Sequence, residues 1–201
     1  TATKTSTGCT STDDVKVTVN GTAPTAGITN NTGTSELNCN TKSISVTATG
    51  GGTYKWSNSL GTSAGATISA AGTYTVTVTS SSTGCTDSES IKITKDVSAP
   101  TADAGSDFTK TCTSNANGKA IGATAVSGET YSWSPTTGLS SSTAANPTAN
   151  PSSTTTYTVT ATKTSTGCTS TDDVKVTVNK TAPTASTVSY THLTLPTNRE
   201  V

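Results

Sequence analysis

The sequence predicts an all-β chain of tandem antiparallel β-sandwich modules, and three observations point there. The first is a repeat. TATKTSTGCTSTDDVKVTVNKTAPTA at 160–185 restates residues 1–26 with one change, Gly21 to Lys180, and a shorter echo, YTVTVTSSSTGCTDSESIKITKDVSAPTA, runs over 74–102. The resulting period of roughly 80 residues suits a small β domain better than a solenoid repeat. The second is strict alternation of apolar and polar residues in short runs such as Asp14-Val15-Lys16-Val17-Thr18-Val19, the period of a strand with one covered face. The third is composition: 29% apolar and 12% charged, with Thr, Ser, Gly and Ala filling the rest, which gives a thin core without the high charge of a disordered chain.

Residues 1–21 read as the C-terminal hairpin of a truncated module, with Val15, Val17 and Val19 on one face. Two strands alone are marginal in water, so this hairpin should fray or dock on a neighbour. Three Ala-Pro-Thr sites, at Pro24, Pro100 and Pro183, mark module starts, because proline fixes φ and removes a donor at a stiff linker. They divide the chain into one module over 22–97, a second over 98–180, and the start of a next module or linker over 181–187.

In the first full module the expected strands are 26–29, 43–49, 53–57, 66–70, 73–79 and 89–94; in the second they are 120–126, 129–134, 155–162 and 173–178. Gly, Ser and Asn turns separate these runs. The largest side chains, Tyr54, Trp56 and Tyr74 in one module and Tyr131, Trp133 and Tyr157 in the other, fall on the inward positions. A core this poor needs them there.

Five cysteines sit at fixed places in the repeat: Cys9, Cys85 and Cys168 each follow Thr-Gly, while Cys39 and Cys112 come early in their modules. Small modules with one early and one late cysteine indicate oxidised, exported domains. Two pairings are open. Pairing within modules joins Cys39 to Cys85 and Cys112 to Cys168, closes loops of about 50 residues, and contributes on the order of 4 kcal/mol each. It leaves fewer orphans, with Cys9 unpaired by truncation, and is the pairing adopted. The alternative joins the early cysteine of one module to the late cysteine of the next, Cys39 to Cys168, and answers the objection that the two turns of one sandwich lie at opposite ends.

Catalysis finds little footing. Gly61-Thr62-Ser63-Ala64-Gly65 matches a G-x-S-x-G elbow, but that motif needs a strand-turn-helix setting and a histidine base, and the sole histidine, His192, lies in the tail. The pairs Asp13-Asp14 and Asp172-Asp173 point to opposite faces of a strand, so they read as solvated charges; calcium at module junctions, with help from Asp96, Asp103 or Asp107, is the lesser reading. Trp56 and Trp133 would stack on sugars only if exposed. Asn20, Asn30 and Asn179 open N-x-[ST] triplets, which a chain so rich in Thr and Asn produces by chance. Equal numbers of acidic and basic residues and no basic run exclude a nucleic-acid role, and no apolar stretch reaches the roughly 20 residues of a membrane span.

The order Cys39, Trp56, Tyr74, Cys85, repeated as Cys112, Trp133, Tyr157, Cys168, resembles the immunoglobulin-like plan, with the second cysteine displaced into the final turn. The string PTADAGSDFTKTC, then YSWSPTTGLSSST, then NPSSTTTYTVTATKTSTGC resembles the PKD-like and Ig-like tandem repeats of large secreted bacterial surface proteins, including gliding-motility adhesins, over about residues 1–185. The resemblance implies a secreted or cell-surface spacer, stalk or filament segment, with no catalytic residues and no cofactor. Its partners would be neighbouring modules of the same chain or filament, or surface glycans. The runner-up is a carbohydrate-binding accessory region of a secreted polysaccharide-degrading enzyme. Residues 188–201, VSYTHLTLPTNREV, break the repeat and resemble a translated sequencing-adapter tail, a non-native segment holding His192 and Arg199.

Overall fold

The computed structural model describes residues 1–182 and 184, and among these every regular element is a strand. The tail 188–201 and most of 181–187 lie outside the described residues. The chain splits into two compact units, one of Thr1–Ser98 with Thr166–Cys168, the other of Ala99–Ser165 with Thr169–Val201. The division falls one residue before Pro100, and the hairpin over 1–21 is counted with the first unit.

The first unit contains β1 (Ala2–Thr3), β2 (Thr10–Ser11), β3 (Gly27–Asn30), β4 (Glu36–Leu37), β5 (Ile44–Thr49), β6 (Thr53–Trp56), β7 (Gly65–Ile68), β8 (Gly72–Thr79) and β9 (Thr86–Lys95). A four-stranded sheet, β4-β9-β8-β6, and a three-stranded sheet, β3-β5-β7, share one core. Alternation decides which residues enter it: Ile44, Val46 and Ala48 from one sheet and Tyr74, Val76 and Ile93 from the other are buried, while the Thr and Ser between them stay out. Trp56, Leu37 and Ile68 complete the layer.

The second unit repeats this plan with β10 (Phe108–Lys110), β11 (Lys119–Ala120), β12 (Glu129–Ser134), β13 (Thr148–Ala149), β14 (Thr155–Lys163) and β15 (Thr169–Val178). One sheet runs β10-β15-β14-β12 and a two-stranded ribbon pairs β11 with β13. Its core gathers Trp133, Tyr157, Val159, Val174 and Val176 with Ile121, Ala104 and Ala149. Both units are Ig-like β-sandwiches. Each has one feature that alternation could not reveal: a short early strand lies parallel to the last one, Glu36↔Thr94 in the first unit and Phe108↔Val176 in the second. All other strand pairs are antiparallel.

Two expected strands are corrected. The run over 120–126 forms only as Lys119–Ala120, because Gly122 turns with φ +79° and packs so closely on the Ala145 carbonyl and the Trp133 ring that no side chain fits there. The run Asp14–Val19 forms no strand, and its hairpin stops at Ala2↔Ser11. The difference is pairing. In the identical sequence of β15, Val174 and Val176 lie opposite Tyr157 and Thr155, whereas Val15 and Val17 lie outside every strand of the described residues.

Candidate functional site

The three Thr-Gly-Cys segments form one kind of hairpin turn. In each, glycine takes a left-handed conformation, with φ of +65° at Gly8, +72° at Gly84 and +68° at Gly167. The first two turns also share their hydrogen bonds: Lys4 N–H donates to the Cys9 carbonyl and Gly8 N–H to Lys4, as Ser80 N–H donates to Cys85 and Gly84 N–H to Ser80. What separates the three is their surroundings. Cys9 is exposed and Cys85 half-buried, whereas Thr166 and Cys168 are buried.

Cys168 is buried where it is bonded to Cys39, with the Cα atoms 5.1 Å apart and a sequence separation of 129. Both belong to the first compact unit, which takes in Thr166–Cys168 from far along the chain. Asn40 N–H donates to the Thr166 carbonyl at 3.2 Å, and the Asn40 side chain lies against Gly167 where a Cβ would be. Glycine is therefore required at 167 twice over, by its φ and by its neighbour, while the space around Gly8 and Gly84 is open.

The loop that presents Cys39 is held by its own bonds. Asn38 N–H donates to the Thr41 carbonyl at 2.8 Å, and Asn38 Oδ1 accepts from Asn40 N–H and Thr41 N–H at 3.0 and 2.8 Å. Asp96 N–H donates to the Leu37 carbonyl and fixes the loop to the end of β9.

The bond joins the early cysteine of one repeat to the late cysteine of the next, not the pairs within modules that the sequence reading adopted. The correction has a simple cause. Cys85 immediately precedes β9, while Cys39 follows Leu37, which lies beside Lys95 at the other end of that strand. Ten residues of strand span roughly 30 Å, far beyond the reach of a disulfide. Cys112 and Cys168 stand at opposite ends of β15 in the same way. Cys85 and Cys112, expected to be bonded, carry free thiols, as does Cys9.

The other candidate residues have structural employment. Trp56 and Trp133 are 3% and 2% exposed, and their indole N–H groups donate to the carbonyls of Ser63 and Ala144. Tyr74 and Tyr157 are buried with their hydroxyls donating to Ala70 and Thr137, while Tyr54 and Tyr131 pack on the core edges. Burial pushes the Tyr157 phenol above its usual range, against a smaller lowering by the Thr155 side chain. Ser63 lies in a loop before β7. Asn20, Asn30 and Asn179 each accept from the backbone N–H two residues on.

The carboxylates do not converge: among the described residues no three His, Cys, Asp or Glu side chains come together as a metal would need. Asp172 accepts from Ala104 N–H, Asp107 from Lys175 N–H and Asp103 from Gly105 N–H; Asp96 accepts from Ser98 N–H, and Asp13 and Asp14 are exposed. One latch escaped the sequence reading. Ala26 N–H donates to Asp87, and Ala102 N–H donates to Ser170. Both alanines end an Ala-Pro-Thr-Ala linker and both acceptors lie two residues after the late cysteine, so the repeat alignment held the signal.

No protein-family model matches the sequence, and comparison with curated proteins finds no match. Among solved structures the chain is similar to three N-terminal domains of the bacteriophage RB49 Highly Immunogenic Outer Capsid protein, at 18% identity and TM-score 0.41, over 77% of this chain and 59% of that one. It is also similar to fibronectin(III)-like modules of Clostridium thermocellum CbhA, at 14% identity and TM-score 0.35, over 77% of this chain and 95% of that one. A third is the N-terminal eight Ig domains of Down Syndrome Cell Adhesion Molecule, at 11% identity and TM-score 0.37, over 78% and 25%. The chain thus spans about three fifths of the capsid-protein structure and a quarter of the cell-adhesion one.

Proposed function

We propose that this chain is a non-catalytic segment of a secreted or cell-surface repeat protein, a spacer of the adhesin type that carries a recognition domain at a distance set by the number of modules. The observation that carries this reading is the Cys39–Cys168 bond, which joins the early cysteine of one sequence repeat to the late cysteine of the next. Repetition with a covalent tie between successive copies suits a part whose work is length and connection. A cystine across about 130 residues also argues for an oxidising compartment.

The glycan-binding alternative leaned on Trp56 and Trp133, and both rings are committed to the core. Threonines alternate with the buried residues along β8 and β14 and give both strands a polar outer face.

Small-angle scattering tests the reading. The 201-residue chain is compared with one in which residues 99–180 are duplicated after Lys180. The expected result is a maximum dimension that grows by roughly one module; an unchanged dimension would overturn the spacer role.

A further inference from the structure

Each repeat has two cysteine stations at opposite ends of its last strand, and only one pairing of stations is used within this chain. The station of Cys39 is occupied, and that of Cys112 is built alike. Lys110 lies beside Val178 at the end of β15 as Leu37 lies beside Lys95 at the end of β9, with the cysteine two residues on in both. Thr111 N–H donates to the Ser114 carbonyl at 2.8 Å, and Thr111 Oγ1 accepts from Thr113 N–H and Ser114 N–H, bond for bond the arrangement around Asn38. Asn179 N–H donates to Lys110 as Asp96 N–H donates to Leu37. Cys112 is nevertheless exposed and free, and it opens onto a depression of about 460 Å³ between Lys110, Ala116, Val178 and Asn179.

We propose that Cys112 is the receiving station for the Ser-Thr-Gly-Cys turn of a further copy of this repeat, and that Cys85 and Cys9 are the turn cysteines offered to early cysteines of preceding copies. The argument is the occupied pair. The Cys39 loop already holds such a turn by a disulfide and by the Asn40–Thr166 hydrogen bond, and the Cys85 and Cys9 turns share the glycine conformation of the turn it holds. Thr113 stands where Asn40 does, so its N–H is placed to reach the Thr166 carbonyl counterpart.

Pairing within a repeat is barred by the length of the last strand, so every bond must run from one copy to the next. Such a head-to-tail bond can be repeated from copy to copy along an array. Each bond forms by exchange with a small disulfide such as oxidised glutathione: two cysteine thiols lose two protons and two electrons to become one cystine, and the small disulfide is reduced to two thiols. The inference rests on the reading of the chain as part of a longer repeat array.

The experiment uses the full chain and the duplicated chain described above, both oxidised in glutathione buffer and mapped without reduction after alkylation. In the 201-residue chain Cys39 and Cys168 should be joined, with Cys85 and Cys112 alkylated. In the longer chain Cys112 should be joined to the added counterpart of Cys168, its alkylation falling at least tenfold, while Cys85 stays as reactive as before. A second variant, C39S in the longer chain, should form the Cys112 bond unchanged. Equal reactivity of Cys112 in both chains, or a Cys85–Cys112 bond, would overturn the proposal. Growth in dimension with Cys112 still free would sink this inference alone, and failure of the dimension to grow would sink the spacer reading.

Discussion

Val174 and Val15 occupy the same position of an identical ten-residue sequence, TSTDDVKVTV, yet Val174 is fully buried and Val15 is 87% exposed. Propensity is equal in the two copies, so the difference is tertiary. Val174 has Tyr157 opposite it on β14, whereas Val15 lies outside every strand of the described residues. Substituting Val174 or Val176 by Ala should therefore cost about 2–3 kcal/mol in chemical unfolding. The matching changes at Val15 and Val17 should fall within about 0.5 kcal/mol of zero. Equal costs at the two sites would contradict the structure.

The cystine predicts strong non-additivity. Cys39→Ser and Cys168→Ser should each lower stability by about 2–5 kcal/mol under oxidising conditions, and the double substitution should cost little more than either alone. Under reducing conditions all three should unfold with the unsubstituted chain. Additive losses in urea titrations would show that the two sulfurs act apart.

Gly167 and Gly84 offer a comparison at constant backbone geometry. Gly84→Ala should cost only the left-handed conformation, about 1 kcal/mol. Gly167→Ala meets the Asn40 side chain as well and should cost more, with slower formation of the 39–168 bond. Adding Asn40→Ala to Gly167→Ala should recover part of that loss. If the glycines respond alike in thermal unfolding, the Asn40 contact is not a constraint.

Tyr157 supplies a pH test. Burial favours the neutral phenol, so its pKa in the fold lies above the value of about 10 in the unfolded chain. The stabilisation from this group is complete below pH 10 and is lost as pH rises through the folded value. Tyr157→Phe should cost about 1 kcal/mol at pH 8 through the lost bond to Thr137. The gap should shrink above pH 10, and a constant difference up to pH 12 would refute the assignment.

The latch at the module start predicts a substitution that is tolerated. Asp87→Ser places in the first unit the acceptor that Ser170 provides in the second, and should be nearly neutral. Asp87→Ala leaves Ala26 N–H without its partner and should cost about 1–2 kcal/mol, read by denaturant titration.

Much of the fold was legible because alternation in Thr- and Val-rich runs admits few readings. Tyr74-Val76-Val78 and Tyr157-Val159-Ala161 declare a buried face at every second residue, and the structure buries all six. Phe108–Lys110 and Glu36–Leu37 escaped because two or three residues show no period, and their parallel pairing is a matter of tertiary placement. The strand expected at 120–126 is cut short because the φ and close packing of Gly122, which alternation does not register, end it. Cysteine pairing was undecidable from spacing, since the deciding fact is that β9 and β15 each run ten residues between their two cysteine positions. The Asp87 and Ser170 latches are marked in the repeat by position alone, since the alignment pairs two unlike side chains that share only an acceptor oxygen.

The cystine also governs what happens when the ends are pulled. Tension entering near residue 39 leaves through residue 168, so the 129-residue stretch between them bears no load while the bond is intact. Roughly 440 Å of contour is thereby locked away and is released only by a reductant. In an oxidising medium the segment resists elongation even when its sandwiches open, and a thiol bath converts the same polypeptide into a long compliant tether.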